Sequence, residues 1–268
     1  MPRPFLRAPV PVLAILVLLV GALLAGAGTA AAATGPRYVA LGDSYAAGVG
    51  APPDPASGAC LRSPAGYPAV LAARVDASAF TSVACSGATT AQVLRHQIGA
   101  VTRDTRLVTI TVGGNDTGFV PVLARCSTAA TDSGCDQAVT AGERVARYVL
   151  PSALALVYGA VRWRAPQAKV LVLGYPHLFD ENATCGTPLV PDAARRARIN
   201  AGADVLNAAI ADSARRWGAT FVDVRPAFTG HGICGADPWL TPPGSPAAYH
   251  PTPTGYALGY VPAAQGRA

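Results

Sequence analysis

The sequence predicts an open α/β sheet with helices on both faces, and three observations carry that prediction. Five short runs occur at Arg37 to Leu41, Phe80 to Ala84, Leu107 to Val112, Lys169 to Leu173 and Thr220 to Val224. They are rich in β-branched residues on both faces, as strands covered on both sides must be. Longer helix-compatible segments separate them, and alternating β and α elements imply a parallel sheet. No internal repeat or linker-like tract interrupts the pattern, so residues 34–268 read as one domain.

Residues 1–33 precede this fold and read as a secretory signal peptide. Arg3 and Arg7 give a basic start, Val10 to Leu24 is almost unbroken Val, Leu, Ile and Ala, and small residues follow in "AGAGTAAAATGP". Ala31 and Ala33 satisfy the small-x-small rule for cleavage after Ala33. An uncleaved anchor would need about 20 apolar residues, and this run is shorter, with Pro11 at its start. The expected mature protein is secreted, extracellular and without a stable membrane anchor.

In chain order, the first strand runs into "YVALGDSYAAGVG", where a glycine is followed by Asp43 and Ser44. A helix is expected over Tyr67 to Arg74. The second strand ends in "CSGATT", before a helix over Thr89 to Gln97, and the third, "LVTITV", ends in "GGND". One helix is expected over Asp136 to Arg164. The fourth strand, "KVLVL", is followed by "GYP" and His177. A helix over Asp192 to Trp217 leads to the fifth strand, "TFVDV". "YHPTPTG" begins at Tyr249, and "TPTGYALGYVPA" closes the chain as a short helix.

Without Arg3 and Arg7 the mature chain has 19 basic residues against 15 acids, a net charge of +4. Its arginines are scattered. The densest group, "ARRARINAGADVLNAAIADSARRWG", has apolar residues at helical intervals, so its arginines are expected on a solvated helix face. A nucleic-acid footprint would concentrate charge with aromatics on one face, and none is visible. Six cysteines in an exported chain argue for disulfides, and spacing cannot choose among their 15 pairings. Nearest-neighbour pairing is the simplest hypothesis: Cys60–Cys85, Cys126–Cys135 and Cys185–Cys234. A zinc site would lean on His231 and Cys234, but no CxxC pair accompanies them.

Ligand sites in open α/β sheets collect beyond the carboxyl ends of the strands. Ser44, "CSGATT" and "GGND" all fall there. A serine hydroxyl needs a base to take its proton, and His250, held between Tyr249 and Pro251, is the leading candidate. His177 is the rival, while His96 and His231 sit in a polar helical stretch and a glycine-rich loop. Acyl transfer also needs donors aimed at the developing oxyanion. The backbone N–H groups of Ser44 and Gly87 and the side-chain amide of Asn115 would supply them.

"GDSY", the glycine of "CSGAT", "GGND" and a histidine near the C-terminus match, in order, the sequence blocks of the SGNH (GDSL-type) hydrolases. The chain most resembles that family's secreted actinobacterial lipases and esterases. The resemblance implies a flavodoxin-like three-layer α/β/α sandwich with a parallel five-stranded sheet, and three disulfides in the nearest-neighbour pattern. It implies Ser44 as nucleophile, His250 as base, and Ser44, Gly87 and Asn115 as the oxyanion hole. Asp43 then fixes the turn rather than serving as triad acid. One departure stands out. The family's usual aspartate, three residues before the histidine, is Ala247 here. Some members orient the imidazole with a main-chain carbonyl, so the Ala247 carbonyl is expected on Nδ1–H, with Asp237 as the alternative acid.

The reading is a secreted serine esterase or lipase acting on fatty acyl esters through an acyl-enzyme. The alternatives are a carbohydrate or phospholipid deacylase of the same family, or a non-catalytic cell-surface binding module. No cofactor or metal is implied. The expected partner is a small-molecule or lipid ester, not nucleic acid, and the expected state is a monomer.

Overall fold

The computed structural model describes Met1, residues 34–128 and residues 131–268. Apart from Met1, the expected signal peptide lies outside the described residues. Strands β1 (Arg37–Gly42), β2 (Ala79–Ser82), β3 (Leu107–Thr111), β4 (Lys169–Leu173) and β5 (Thr220–Val222) form one sheet in the order β2-β1-β3-β4-β5. Every pairing is parallel. In β1, β3 and β4 every residue is buried except Arg37 and Lys169, which explains their apolar character on both faces. The chain leaves β1 first for β2 at one edge and then continues through β3, β4 and β5, so the order reverses between β1 and β3. That is the flavodoxin-like arrangement, with its crevice at the β1/β3 switch point.

The helices are α1 (Ser44–Ala47), α2 (Tyr67–Arg74), α3 (Thr90–Gln92), α4 (Phe119–Thr128), α5 (Asp132–Tyr148), α6 (Leu150–Arg164), α7 (Ala193–Arg216) and α8 (Val261–Gln265). α2 packs with α8, while α6 packs with α3 and α7, giving layers on the two sides of the sheet. α3 runs on into the wider turn Val93–Gln97, and Gly255–Tyr260 makes a similar turn before α8. Thr34–Ala268 is one compact unit. Among the described residues no helix is long and apolar enough to cross a membrane.

Two expectations are corrected. The single helix over Asp136 to Arg164 is two, α5 and α6, parted at Val149, where φ is −109° and ψ −51°. Pro151 causes the break. It has no N–H to donate, and its ring clashes with the carbonyl four residues back, so it starts a new helix in the first turn. The arginines of α7 are also not a uniformly solvated face. Arg196 is 5% exposed, and its guanidinium donates to the carbonyls of Ala183 at 2.7 Å and Glu181 at 3.2 Å. Arg195 and Arg198 cross to α5, pairing with Asp132 at 2.8 Å and Glu143 at 2.6 Å. α7 lies against α5 and the 181–191 loop, so these side chains are covered.

Cys60 joins Cys85, Cys126 joins Cys135 and Cys185 joins Cys234, with Cα separations of 4.1, 4.3 and 5.1 Å. The first ties the segment after α1 to the loop after β2. The third ties the 180–190 loop to the segment leading to His250. Their loops differ in length, at 49 residues for Cys185–Cys234 and 9 for Cys126–Cys135. Chain entropy then assigns about 4 kcal/mol to the longer loop and about 2.6 kcal/mol to the shorter. Replacing Cys185 and Cys234 together by serine is expected to lower the unfolding free energy more than the same change at Cys126 and Cys135. Urea denaturation of the two variants measures the difference.

Candidate active site

The sheet's switch point sets the position of Ser44. At the end of β1, Asp43 N–H donates to Thr111 O of β3 at 2.9 Å. Gly42 has φ +131°, and a Cβ there would lie 2.1 Å from Thr111 O, so only glycine fits. The buried Gln97 holds Gly42 from the other side. It accepts from Gly42 N at 2.7 Å and donates to Gly42 O at 2.8 Å. The turn into α1 follows, with Asp43 as its N-cap: Oδ1 accepts from Tyr45 N at 3.0 Å. Oδ2 accepts from the Tyr175 hydroxyl at 2.6 Å. Both carboxylate oxygens of Asp43 thus serve the turn and its neighbour. Burial pushes its carboxyl up to about 7, against the hydrogen bonds from Tyr175 and Tyr45, which lower it.

His250 Nε2 lies 2.8 Å from Ser44 Oγ. Its Nδ1 lies 2.9 Å from Ala248 O and 3.2 Å from Ala247 O. Carbonyls only accept, so Nδ1 carries the hydrogen and Nε2 the free lone pair, to which the Ser44 hydroxyl donates. The expected Ala247 carbonyl is present, but the Ala248 carbonyl is the nearer one. Tyr249 turns the chain at φ +68° and thereby aims successive carbonyls at the ring. Burial lowers the imidazole's pKa below its usual value, leaving it neutral and able to accept a proton at pH 7.

The segment carrying His250 is fastened on both sides. Thr241 N donates to His250 O, Tyr249 N to Thr241 O, and Thr252 N to Trp239 O, each at 2.8 Å. The Tyr45 hydroxyl donates to Tyr249 O at 2.6 Å, so the residue after Ser44 holds the residue before His250. The other candidates are engaged elsewhere. Asp237 Oδ2 accepts from Trp239 Nε1 at 3.1 Å, and its carbonyl meets His231 Nδ1 at 2.8 Å. His177 pairs with Asp204 at 2.7 Å, and Asp204 in turn with Arg225 at 2.6 Å.

Gly87 lies on the loop after β2 at φ +78°, the reason for glycine there. A Cβ at Gly87 would meet nothing within 4 Å, so the position is not crowded. Asn115 lies on the turn after β3, and its Nδ2 donates to Ala88 O at 3.1 Å, with its second N–H left over. Asp116 binds the two turns further, accepting from Thr90 N at 3.1 Å and Thr90 Oγ1 at 2.5 Å. Ser44, Asn115 and Tyr175 line one cleft of about 770 Å³, counting its open mouth. Its far walls are apolar: Phe119 and Leu123 of α4, Val139 and Ala146 of α5, Ile199 and Leu206 of α7. Among the described residues no group of three His, Cys, Asp or Glu is placed to hold a metal ion.

Sequence reasoning missed Tyr175, Gln97 and the Ala248 carbonyl. In the sequence Tyr175 is only the middle of "GYP", two residues before His177.

Residues 40–258 match the GDSL-like Lipase/Acylhydrolase family. A lipase of Streptomyces rimosus is 42% identical over 253 residues, spanning 91% of this chain and 93% of its own. The crystal structure of the extracellular lipase from Streptomyces rimosus superposes with a TM-score of 0.83 at 41% identity, covering 87% of this chain and all of that one. A phospholipase A1 from Streptomyces albidoflavus superposes with a TM-score of 0.81, also at 41% identity, over 88% of this chain and all of that one.

Two outcomes follow from the site's geometry. Asp237→Asn is expected to lower kcat by less than about tenfold, because Nδ1 of His250 is held by carbonyls. A measured loss of three decades would contradict that geometry. The second outcome concerns pH. Asp43 is protonated more readily in the folded chain, at about 7, than at its ordinary 3.8. Its contribution to stability is full below the ordinary value and is lost as pH rises through about 7. The change amounts to about 4 kcal/mol. Urea midpoints at pH 4 and pH 8 should therefore converge in Asp43→Asn relative to the parent protein.

Proposed function

This chain belongs to the GDSL-like lipase/acylhydrolase family, and from that premise we propose how its residues hydrolyse an ester and which ester they take. It is a carboxylic ester hydrolase. In the proposed reaction, Ser44 Oγ attacks the ester carbonyl carbon while His250 Nε2 takes the hydroxyl proton. The carbonyl oxygen becomes the oxyanion, facing the N–H groups of Ser44 and Gly87 and the free N–H of Asn115. The tetrahedral intermediate then collapses, and the C–O bond to the alcohol breaks as His250 returns its proton to the leaving oxygen. Water repeats the sequence against the acyl-enzyme, with His250 again as base, and frees the acid. These steps use side chains, backbone N–H groups and water.

The observation that carries this reading is the 2.8 Å hydrogen bond between Ser44 Oγ and His250 Nε2, with the opposite ring nitrogen fixed by two carbonyls. Such a pair activates a weak nucleophile without an acid side chain.

The substrate class follows from the cleft. Its apolar walls between α4, α5 and α7 suit a fatty acyl chain better than a sugar, whose hydroxyls would find few partners there. We assign the acyl side of the substrate to this cleft and the alcohol to the open side. The likeness to a phospholipase A1 favours a second reading in which the ester is a glycerophospholipid and the leaving alcohol a lysophospholipid. Export is supported by the basic, apolar and small-residue order of residues 1–33, by three disulfides, and by a relative described as extracellular.

One experiment tests both parts. The parent protein is expected to cleave aryl esters across acyl lengths from acetyl to palmitoyl, with kcat/KM rising with chain length. Ser44→Ala is expected to fold normally and lose several orders of magnitude in kcat on all of them. A folded Ser44→Ala protein that keeps most of its activity would defeat the mechanism. Turnover confined to acetyl esters would defeat the fatty-acyl assignment.

A further inference from the structure

We propose that Tyr175 is a positioning residue for this reaction: its hydroxyl bridges the Ser44 turn to the Asn115 turn and holds the Asn115 donor in register with the nucleophile. The inference rests on the reading of Ser44 as nucleophile and Asn115 as oxyanion donor.

One oxygen makes both contacts. The Tyr175 hydroxyl donates to Asp43 Oδ2 at 2.6 Å and accepts from Gly114 N–H at 3.0 Å. Asp43 is the chain neighbour of Ser44, and Gly114 is the chain neighbour of Asn115. The sheet does not make this link. β1 and β3 are joined at Asp43 N and Thr111 O, but Gly113 and Gly114 stand between that bond and Asn115. Two successive glycines have no side chains to fix this stretch, Gly113 sits at φ +126°, and the backbone bonds they make run onward to Thr117 and Phe119 rather than back to β1. The Tyr175 hydroxyl pins the second glycine, just before the donor.

The bridge is itself anchored. Tyr175 follows the end of β4, and Asn207 of α7 clamps its backbone. Asn207 Oδ1 accepts from Tyr175 N, and Asn207 Nδ2 donates to Tyr175 O, each at 2.9 Å. Next to it, Gly174 O accepts from Tyr260 at 2.9 Å. The ring packs edge-on against Tyr45 at 5.1 Å, and a Cβ on Gly114 would lie 3.3 Å from the ring. Phenylalanine would fill the same space, so packing does not require the hydroxyl. Removing it would leave the Asp43 carboxylate and the buried Gly114 N–H each short of a partner.

The test is Tyr175→Phe, assayed on an aryl ester with active sites counted by an organophosphonate that titrates Ser44. Displacing an oxyanion donor impairs the transition state more than the substrate complex. We expect kcat per titrated site to fall about ten- to a hundredfold, with KM within about threefold. Affinity for an alkylboronic acid, which forms a tetrahedral serine adduct, should fall by the same factor as kcat. In an Asn115→Ala background the same change should alter kcat by less than about threefold, because the two act as a unit. Unchanged kcat per site with only a lower unfolding temperature would overturn the proposal, as would additive losses with Asn115→Ala. If Tyr175→Phe does not fold, Asp43→Ser keeps the ring, its packing and a capping oxygen for Tyr45 N, but removes the oxygen that accepts from Tyr175. It must then show the same non-additivity with Asn115→Ala, and additivity there overturns the proposal. Labelling of Ser44 in the parent protein checks the underlying mechanism separately.

Discussion

The hydrogen bond from Asp43 N–H to Thr111 O is the contact on which the site's geometry depends. It forms where β1 and β3 part, and it brings the two backbones so close that the residue before it can carry no Cβ. A strand that ended later would leave Ser44 inside the sheet. One that ended a residue earlier would carry it away from the turn after β3. With the bond in place, Ser44 leaves the sheet edge at the start of α1, and Asn115 follows Thr111 within one short turn. The crevice belongs to the strand order; the placement of the hydroxyl belongs to Gly42.

Around that contact the interior is unusually rich in buried phenols. Tyr38 pairs with Thr109, Tyr67 with Thr111, Tyr256 with Val49 O and Tyr260 with Gly174 O, at 2.7 to 2.9 Å. Each of these four rings supplies apolar area and has its hydroxyl satisfied, whereas the buried Tyr158 hydroxyl finds no partner among the described residues. The phenols link the sheet to the segments that carry Ser44 and His250. They work as rigid struts with one polar end, a use that leucine could not serve. Ser44 and His250 stand 206 residues apart in the chain yet share this scaffold.

Much of this was legible in the sequence, for identifiable reasons. The central strands are covered on both faces, so apolar residues leave no alternation to misread. Ser44, Gly87 and Asn115 stood out because each follows a strand end, where turn residues are expected but their coincidence is not, and His250 because Tyr249 and Pro251 hold it. The break at Val149 was not read, since the helical period runs through it, though Pro151 marks it. The arginines of α7 were misplaced because a helical wheel shows which residues share a face but not what covers that face. Tyr175 lay hidden for a similar reason: its role is a contact between three strand ends, and a linear pattern carries no trace of it. The choice between the Ala247 and Ala248 carbonyls depends on the left-handed turn at Tyr249, a backbone conformation rather than a residue type.

The two carbonyls on His250 Nδ1 have a consequence for how this protein can vary. A carboxylate in that role is one codon away from loss and is silenced by acid. A peptide carbonyl is neither: every amino acid supplies it, and no pH at which proteins survive protonates it. Mutation can therefore reach the orientation of the imidazole only by moving the main chain, through an insertion, a deletion or a new proline between residues 245 and 250, or through loss of a contact such as Tyr45 to Tyr249 O that holds it. Positions 247 and 248 are free to drift in identity while their number and spacing are not.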